Sequence, residues 1–238
     1  SRRLAGFFGH ISYGYADRYN VMVSLRRDND SMFGENHKWG NFPGVSAGWT
    51  ISNEEFMNGA KDWLSNMKLR AGWGMAGIMP DLSSEAYATY EANQDLHWET
   101  SKEVNIGLDL GFFGNRLYAN IDLYDKVTSG MLWGYSVAAS PTLYNLIANA
   151  GSMSNQGIEV LIGGTPVQTK NFEWNSTLTL AHNRNKLLSM SNDLYETEDY
   201  LDGGCTEDPT SMVTQRTYIG DAIGTFSPLN SAGVVPDG

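Results

Sequence analysis

Residues 103–126 read EVNIGLDLGFFGNRLYANIDLYDK. In the first half Val104, Ile106, Leu108, Leu110 and Phe112 alternate with Asn105, Gly107, Asp109 and Gly111. After Gly114-Asn115 the alternation resumes, Leu117, Ala119, Ile121 and Leu123 standing against Tyr118, Asn120, Asp122 and Tyr124. Successive strand side chains point to opposite faces, so each half builds a strand with one apolar and one polar side. A two-residue turn at Gly114-Asn115 then sets the register. Leu108 faces Ile121, Ile106 faces Leu123, Leu110 faces Ala119 and Phe112 faces Leu117. On the other side Asp109 meets Asn120, and Glu103 meets Lys126 as an opposite-charge pair. Val104 alone meets a charge, Asp125, at the open end of the hairpin, where an apolar band would have finished.

The same period recurs along the chain. Phe7, Ile11 and Tyr13 share a side, as do Val21, Val23 and Leu25. Val45, Ala47, Trp49 and Ile51 alternate with Ser46, Gly48 and Thr50, and Met67 to Met75 alternates with Lys68, Arg70, Gly72 and Gly74. Ile158, Val160 and Ile162 form another apolar side, followed by Trp174, Leu178 and Leu180, with a last short candidate at 219–226. The links between them alternate in length. Tight turns are expected at Asp17-Arg18-Tyr19-Asn20 and Gly114-Asn115, and a shorter link at 164–171. Long polar links are expected at 27–43, 78–100, 128–155 and 183–216. The intermediate link, 52–66, carries Ser52 and Glu55 at capping-box spacing and predicts a short helix. Short turns at one end and long loops at the other are the asymmetry of up-and-down outer-membrane barrels.

Bulk composition narrows the classes. Aromatic residues make up 12% of the 238, with 26 glycines against 7 prolines, which points to strands and turns. A net charge of −11 argues against a basic nucleic-acid surface, so no nucleic-acid partner is expected. One cysteine, Cys205, excludes an internal disulfide and a Cys-rich metal site. No run of 18 apolar residues is present, which leaves the closed barrel as the structure able to cross a bilayer. Ser1 to Arg3 run straight into a strand pattern; a signal peptide was removed, or the N-terminus lies elsewhere.

Alternation alone fits two architectures: a transmembrane β-barrel and a soluble, secreted β-sandwich, which would make a glycan-binding module. Strands in soluble sheets average about 5–6 residues, whereas membrane-crossing strands need about 9–11. Several segments here reach the longer figure. The apolar sides hold no charge, while the opposite sides hold Lys68, Arg70, Glu103, Asp109, Asp122 and Glu159. Tyr13, Tyr15, Trp49 and Trp174 lie near strand ends, as an interfacial aromatic girdle requires. These features favour the barrel.

An ordered set of motifs adds a resemblance. RRDNDSMFG at 26–34, WGNFP at 39–43, VSAGWTIS at 45–52 with Glu55-Phe56, and LRAGWG at 69–74 with Gly77 are similar to the barrel of SusC/RagA-type TonB-linked outer-membrane proteins. Trp98-Glu99, NIGLD at 105–109, NRL at 115–117 running into Asp122-Leu123-Tyr124, and NAGSM at 149–153 leading to NQGIE at 155–159 continue the series. Asn29 and Met32 depart from it, where glycine and a basic residue are usual. The resemblance implies a barrel of about twenty-two strands around a plug domain. All 238 residues would be a partial barrel domain supplying about nine strands, with plug and remaining strands absent. It further implies the outer membrane of a Gram-negative bacterium and import of oligosaccharides or peptides by binding and gating, without covalent chemistry. The implied partners are a SusD-like surface lipoprotein as lid, the TonB–ExbB–ExbD complex acting through the plug, and outer-membrane lipid.

Candidate chemistry is sparse. His10, His37, His97 and His182 have no metal-ligand spacing, and no nucleophile elbow, zinc helix or phosphate loop occurs. No enzyme activity, metal or cofactor is therefore expected. The acidic residues between Asp193 and Asp208 match no calcium-loop spacing and read as a solvated loop. Trp133, Tyr135 and Tyr144, in an expected outer loop, are the candidate substrate-binding residues. Aromatic faces stack on the apolar faces of sugar rings, although loop self-packing or contact with a lid protein would use the same residues.

Overall fold

The computed structural model describes residues 2–31, 33–34, 36–78, 90–91, 95–137, 144–191, 199–203 and 213–226, with backbone alone at 90–91, 134–137 and 144–146. Eight long strands form one antiparallel sheet in chain order: β1 (Leu4–Tyr15), β2 (Tyr19–Asp30), β3 (Trp39–Thr50), β4 (Leu64–Ile78), β6 (Glu99–Phe112), β7 (Leu117–Val137), β8 (Tyr144–Gln168) and β9 (Glu173–Ser189). A two-residue strand, β5 (Tyr90–Glu91), lies parallel to the start of β8. Beyond β9 a separate small ribbon joins β10 (Tyr200–Asp202) to β11 (Arg216–Tyr218).

The hairpin expected at 103–126 has the register that its sequence dictates: Phe112 opposite Leu117, Leu108 opposite Ile121, Glu103 opposite Lys126 and Val104 opposite Asp125. Phe113, Gly114 and Asn115 all take positive φ to close it, the conformation that Gly and Asn tolerate best. The β1–β2 turn lies at 16–18, slightly before its expected place. Ala16 and Asp17 have φ of 53° and 52°, the positive values at both central positions that a type I′ hairpin turn requires.

Following the pairs across the sheet yields rows of side chains on a common face. One row runs Tyr13, Val21, Ala47, Ala71, Ile106, Leu123, Ile158, His182. The next toward the long loops runs Ile11, Val23, Val45, Trp73, Val104, Asp125, Gln156, Arg184. Both rows begin apolar and end polar, so the apolar belt crosses them obliquely. Its upper edge stands at Arg27 in β2, at Asp125 in β7 and at His182 in β9. His182 shares its row with Val21, so the edge falls six residues, Arg27 to Val21, over the six strand-to-strand steps from β2 to β9. One residue (~3.3 Å) per strand spacing (~4.8 Å) corresponds to a strand tilt of roughly 35°, inside the range of outer-membrane barrels.

This apolar face is uncovered. Ile106 is 49% exposed, Leu123 50% and Leu178 54%, and no second sheet packs on it among the described residues. A soluble sandwich would bury these side chains, and that alternative is set aside. Aromatic rings flank the belt at both ends: Tyr15, Tyr19, Trp63, Phe113, Phe172 and Trp174 toward the short turns, Phe7 and Trp39 toward the long loops.

Several expectations are corrected. The stretches 27–43 and 128–155 are largely strand, since β2 runs to Asp30, β3 starts at Trp39, β7 reaches Val137 and β8 starts at Tyr144. Above the belt the strands meet water on one stretch and a small buried core around Phe42, Ile147 and Ala148 on another, so alternation fades while the backbone ladder continues. Strand β9 likewise extends to Ser189 inside the expected link from 183. The 52–66 link does form the expected short helix, as two 3-10 segments, Ile51–Asn53 and Glu55–Ala60, but without the capping box: neither start has a side-chain cap, and Ser52 is buried instead. Residues 219–226 make turns, with φ of 101° at Gly220 and 83° at Gly224; a single bridge joins Gln215 to Phe226. The main sheet holds nine strands among the described residues, eight long and one of two residues, in keeping with the expected count of about nine.

Candidate functional site

On the polar face one arginine gathers two carboxylates from neighbouring strands. Arg70 on β4 donates from Nε and Nη2 to the two Asp109 carboxylate oxygens on β6, each at 2.8 Å. The same Nη2 reaches Asp122 on β7 at 3.2 Å. The row explains the reach: Arg70, Gly107 and Asp122 are successive neighbours, and a Cβ at Gly107 would meet the guanidinium at 2.6 Å. Asn120 completes the cluster by donating to Asp109 at 2.7 Å. A bidentate fork of this kind sets orientation as well as charge.

Farther along the same face, tyrosine rings lie over glycines of the next strand. Tyr118 sits opposite Gly163 and Tyr124 opposite Gly157, and a Cβ at either glycine would collide with the ring. Tyr124 also donates its hydroxyl to Asn183 at 3.2 Å. Beside it Glu103, Asp122, Glu159, Asn155 and Asn183 line an open cleft of about 410 Å³. Carboxylates, amides and a phenol suit hydroxyl-rich or amide-rich ligands held by hydrogen bonds. Among the described residues no three or more His, Cys, Asp or Glu side chains gather to hold a metal ion.

The long-loop end has its own small core. Phe33, Phe42, Leu96, Trp98 and Ile147 are buried together, with Leu132 against them. Trp98 packs on Phe33 with ring centroids 4.9 Å apart and edge-on to Phe42 at 5.5 Å. At Gly130, with φ of 68°, the β7–β8 register shifts and β7 bulges. Asn149 clamps the bulge: its amide donates to the carbonyls of Gly130 at 2.7 Å and His97 at 2.8 Å, and its oxygen accepts the His97 N–H at 3.0 Å.

Of the three candidate binding residues, Trp133 stands just beyond this bulge, opposite Ala148. It is half-buried against Ala148 and Ala150. Its ring occupies the space a Cβ on Gly151 would take, and its indole N–H has no acceptor among the described residues. Tyr135 pairs with Leu146 and Tyr144 with Val137 on the same hairpin; their side chains lie outside the described residues, as do 193–198 and 204–208 of the acidic stretch, whose Asp202 lies in β10 and pairs with Arg216 at 2.6 Å. The Arg70 centre and the Asn149 clamp were missed in the sequence. Lys68, Arg70, Asp109 and Asp122 were visible as polar-side residues, but only the register brings Arg70 to both carboxylates. Nothing in the sequence marks Asn149 as a clamp.

The opposite end is latched by Glu54, which lies between the two 3-10 turns. It accepts from the Tyr19 hydroxyl at 2.5 Å, the Trp49 indole at 3.0 Å and Arg18 at 3.1 Å. The Tyr19 hydroxyl, then the Trp49 N–H, with Arg18 adding its charge, hold this carboxyl below its ordinary range. Asn53 donates to the Asp17 carbonyl at 2.8 Å, which ties the β3–β4 connection to the β1–β2 turn.

Comparison with known proteins places this geometry. The family model described as TonB dependent receptor-like, beta-barrel matches residues 1–230. A TonB-dependent receptor of Formosa agariphila is 32% identical over 99% of this chain, and the match covers 24% of that relative. The TonB-dependent receptor SusC of Bacteroides thetaiotaomicron is 30% identical over 79% of the chain and 21% of SusC. The chain thus spans about a quarter of the length of these curated relatives. Among solved structures, the RagAB peptide importer in its closed-closed state aligns with a TM-score of 0.74 at 24% identity, covering 92% of this chain and 24% of that one. The FrpB iron transporter of Neisseria meningitidis aligns at 0.61 with 14% identity, covering 82% of this chain and 28% of that one. These structural matches concern the fold.

Proposed function

This chain belongs to the TonB dependent receptor-like β-barrel family, and on that premise we propose that it forms part of the wall of an energy-coupled importer for oligosaccharides or peptides. The outer membrane of a Gram-negative bacterium is where such a barrel resides. The observation that carries the reading is the oblique apolar belt: its tilt is that of a barrel wall, and among the described residues no second layer covers its side chains. The belt meets hydrocarbon, and the face bearing Arg70, Asp109 and Asp122 lines the lumen. Substrate is bound and released unchanged. The lumen offers carboxylates, amides and phenols, and the β7–β8 hairpin offers Trp133, Tyr135 and Tyr144 above the membrane.

RagAB among the structural neighbours supports the peptide part of the substrate class through its description as a peptide importer, and SusC among the relatives supports TonB-dependent import. On this reading a plug domain fills the lumen, a SusD-like lipoprotein closes the outer mouth, and the TonB–ExbB–ExbD complex supplies the work through the plug. Deleting the gene in its host and comparing growth on oligosaccharide mixtures and on peptides as sole carbon source tests it. Loss of growth on one class, restored by the intact gene and not in a strain lacking TonB, is the expected result. Unaltered uptake of both classes would count against the importer.

A further inference from the structure

The apolar face has a groove near its short-turn end that the transport reading does not use. Ala119, Ile162 and Leu178 form one row of that face, and Leu117, Gly164 and Ser176 the next. Where β7 supplies a leucine, β8 and β9 supply only a glycine and a serine, so the second row is hollow. The hollow deepens because the β8–β9 register shifts between Gly164 and Val167, putting Pro166 in a bulge. The result is an open groove of about 470 Å³ walled by Leu117, Ile162, Leu178 and Phe113. Arg116 stands at its lip, exposed, touching the Thr165 carbonyl only at 3.4 Å and making no ion pair with the described residues.

Depth and charge together select an occupant. Exposed Phe172 and Trp174 on the neighbouring strand end mark the membrane interface at this level, so Arg116 lies where headgroup phosphates lie. An apolar hollow facing hydrocarbon fills with acyl chain, and Arg116, in no ion pair among the described residues, draws an anion. Short turns mark the periplasmic end of such barrels, where the leaflet is phospholipid. We propose that this groove is a binding site for one glycerophospholipid, with an acyl chain along Leu117, Ile162 and Leu178 and the phosphate on Arg116.

Native mass spectrometry of the full receptor, extracted in detergent and incubated with phosphatidylglycerol, tests the site. Wild type should retain one phosphatidylglycerol under conditions that strip the rest. Arg116→Gln, a turn substitution, should lower retention about five-fold, the effect of one cation near a membrane surface. Ser176→Phe, which fills the hollow without touching the lip, should abolish it, with folding verified by heat-modifiable migration. Arg184→Gln, on the same face toward the long loops, should leave retention unchanged. Equal retention in wild type, Arg116→Gln and Ser176→Phe overturns the proposal, as does tighter retention of lipopolysaccharide than of phosphatidylglycerol at this groove.

Discussion

Arg70 neutralises two carboxylates that the register sets side by side, so its removal exposes their repulsion as well as losing three hydrogen bonds. The side chains of Arg70, Asp109 and Asp122 are 35%, 20% and 26% exposed, and solvent screening reduces the effect below that of a fully buried pair. Arg70→Ala should cost about 1–2 kcal/mol, read as a lower urea midpoint of the receptor in detergent. Arg70→Lys should recover part of the loss, since it restores charge but not the fork. Glu54 gives a pH dependence of definite sign. Its folded carboxyl lies below the ordinary value of 4.5. The stabilisation is therefore full above that value and fades as pH falls through the lowered one. Wild type should lose stability on acidification toward pH ~3 by more than Glu54→Gln does; parallel acid curves for the two would refute the latch.

At the scale of elements, the 103–126 hairpin was legible down to individual partners because period-two alternation on both arms admits one register with its apolar sides matched. The β7–β8 pair shows where that reading stops. Its ladder continues past Asp125 to Val137, and from there both faces are wet or packed on the small core under Trp98, so no alternation reports the strand. The capping-box expectation failed for a related reason: Ser52 and Glu55 have the right spacing, but the chain around them bends to reach Arg18 and Tyr19. Tyr124 over Gly157 is a cross-strand pair in which the ring covers the backbone that the missing side chain leaves bare. Gly157→Val should displace the ring and destabilise the β7–β8 pairing by about 1–3 kcal/mol. Folding yield into bilayers, compared with Gly157→Val/Tyr124→Ala, measures it, and rescue by the second substitution is the expected outcome.

For the whole molecule the tilt makes a prediction that a flat sheet does not. Val21 and His182 share one row of the apolar face, yet the belt covers the first and has ended before the second. Val21→Arg, inside the belt but only one same-face position from the Tyr19 girdle, should destabilise the barrel by roughly 1–3 kcal/mol, between the midplane and interface costs, and His182→Arg by about 0–1. Equal costs at the two positions would mean that the belt follows the rows and that the strands do not tilt.

Alternation, turn residues and charge placement in the sequence were enough to determine an antiparallel transmembrane wall, its short-turn and long-loop ends, and one hairpin to the residue. These are local properties: a side chain's face depends on its own parity, and lipid rejects charge at every strand independently. The Arg70 centre, the Asn149 clamp, the Glu54 latch and the groove beside Arg116 were decided by tertiary structure alone. Each joins residues on different strands or connections, and the offset between strands, which places one side chain beside another, is written in no single segment.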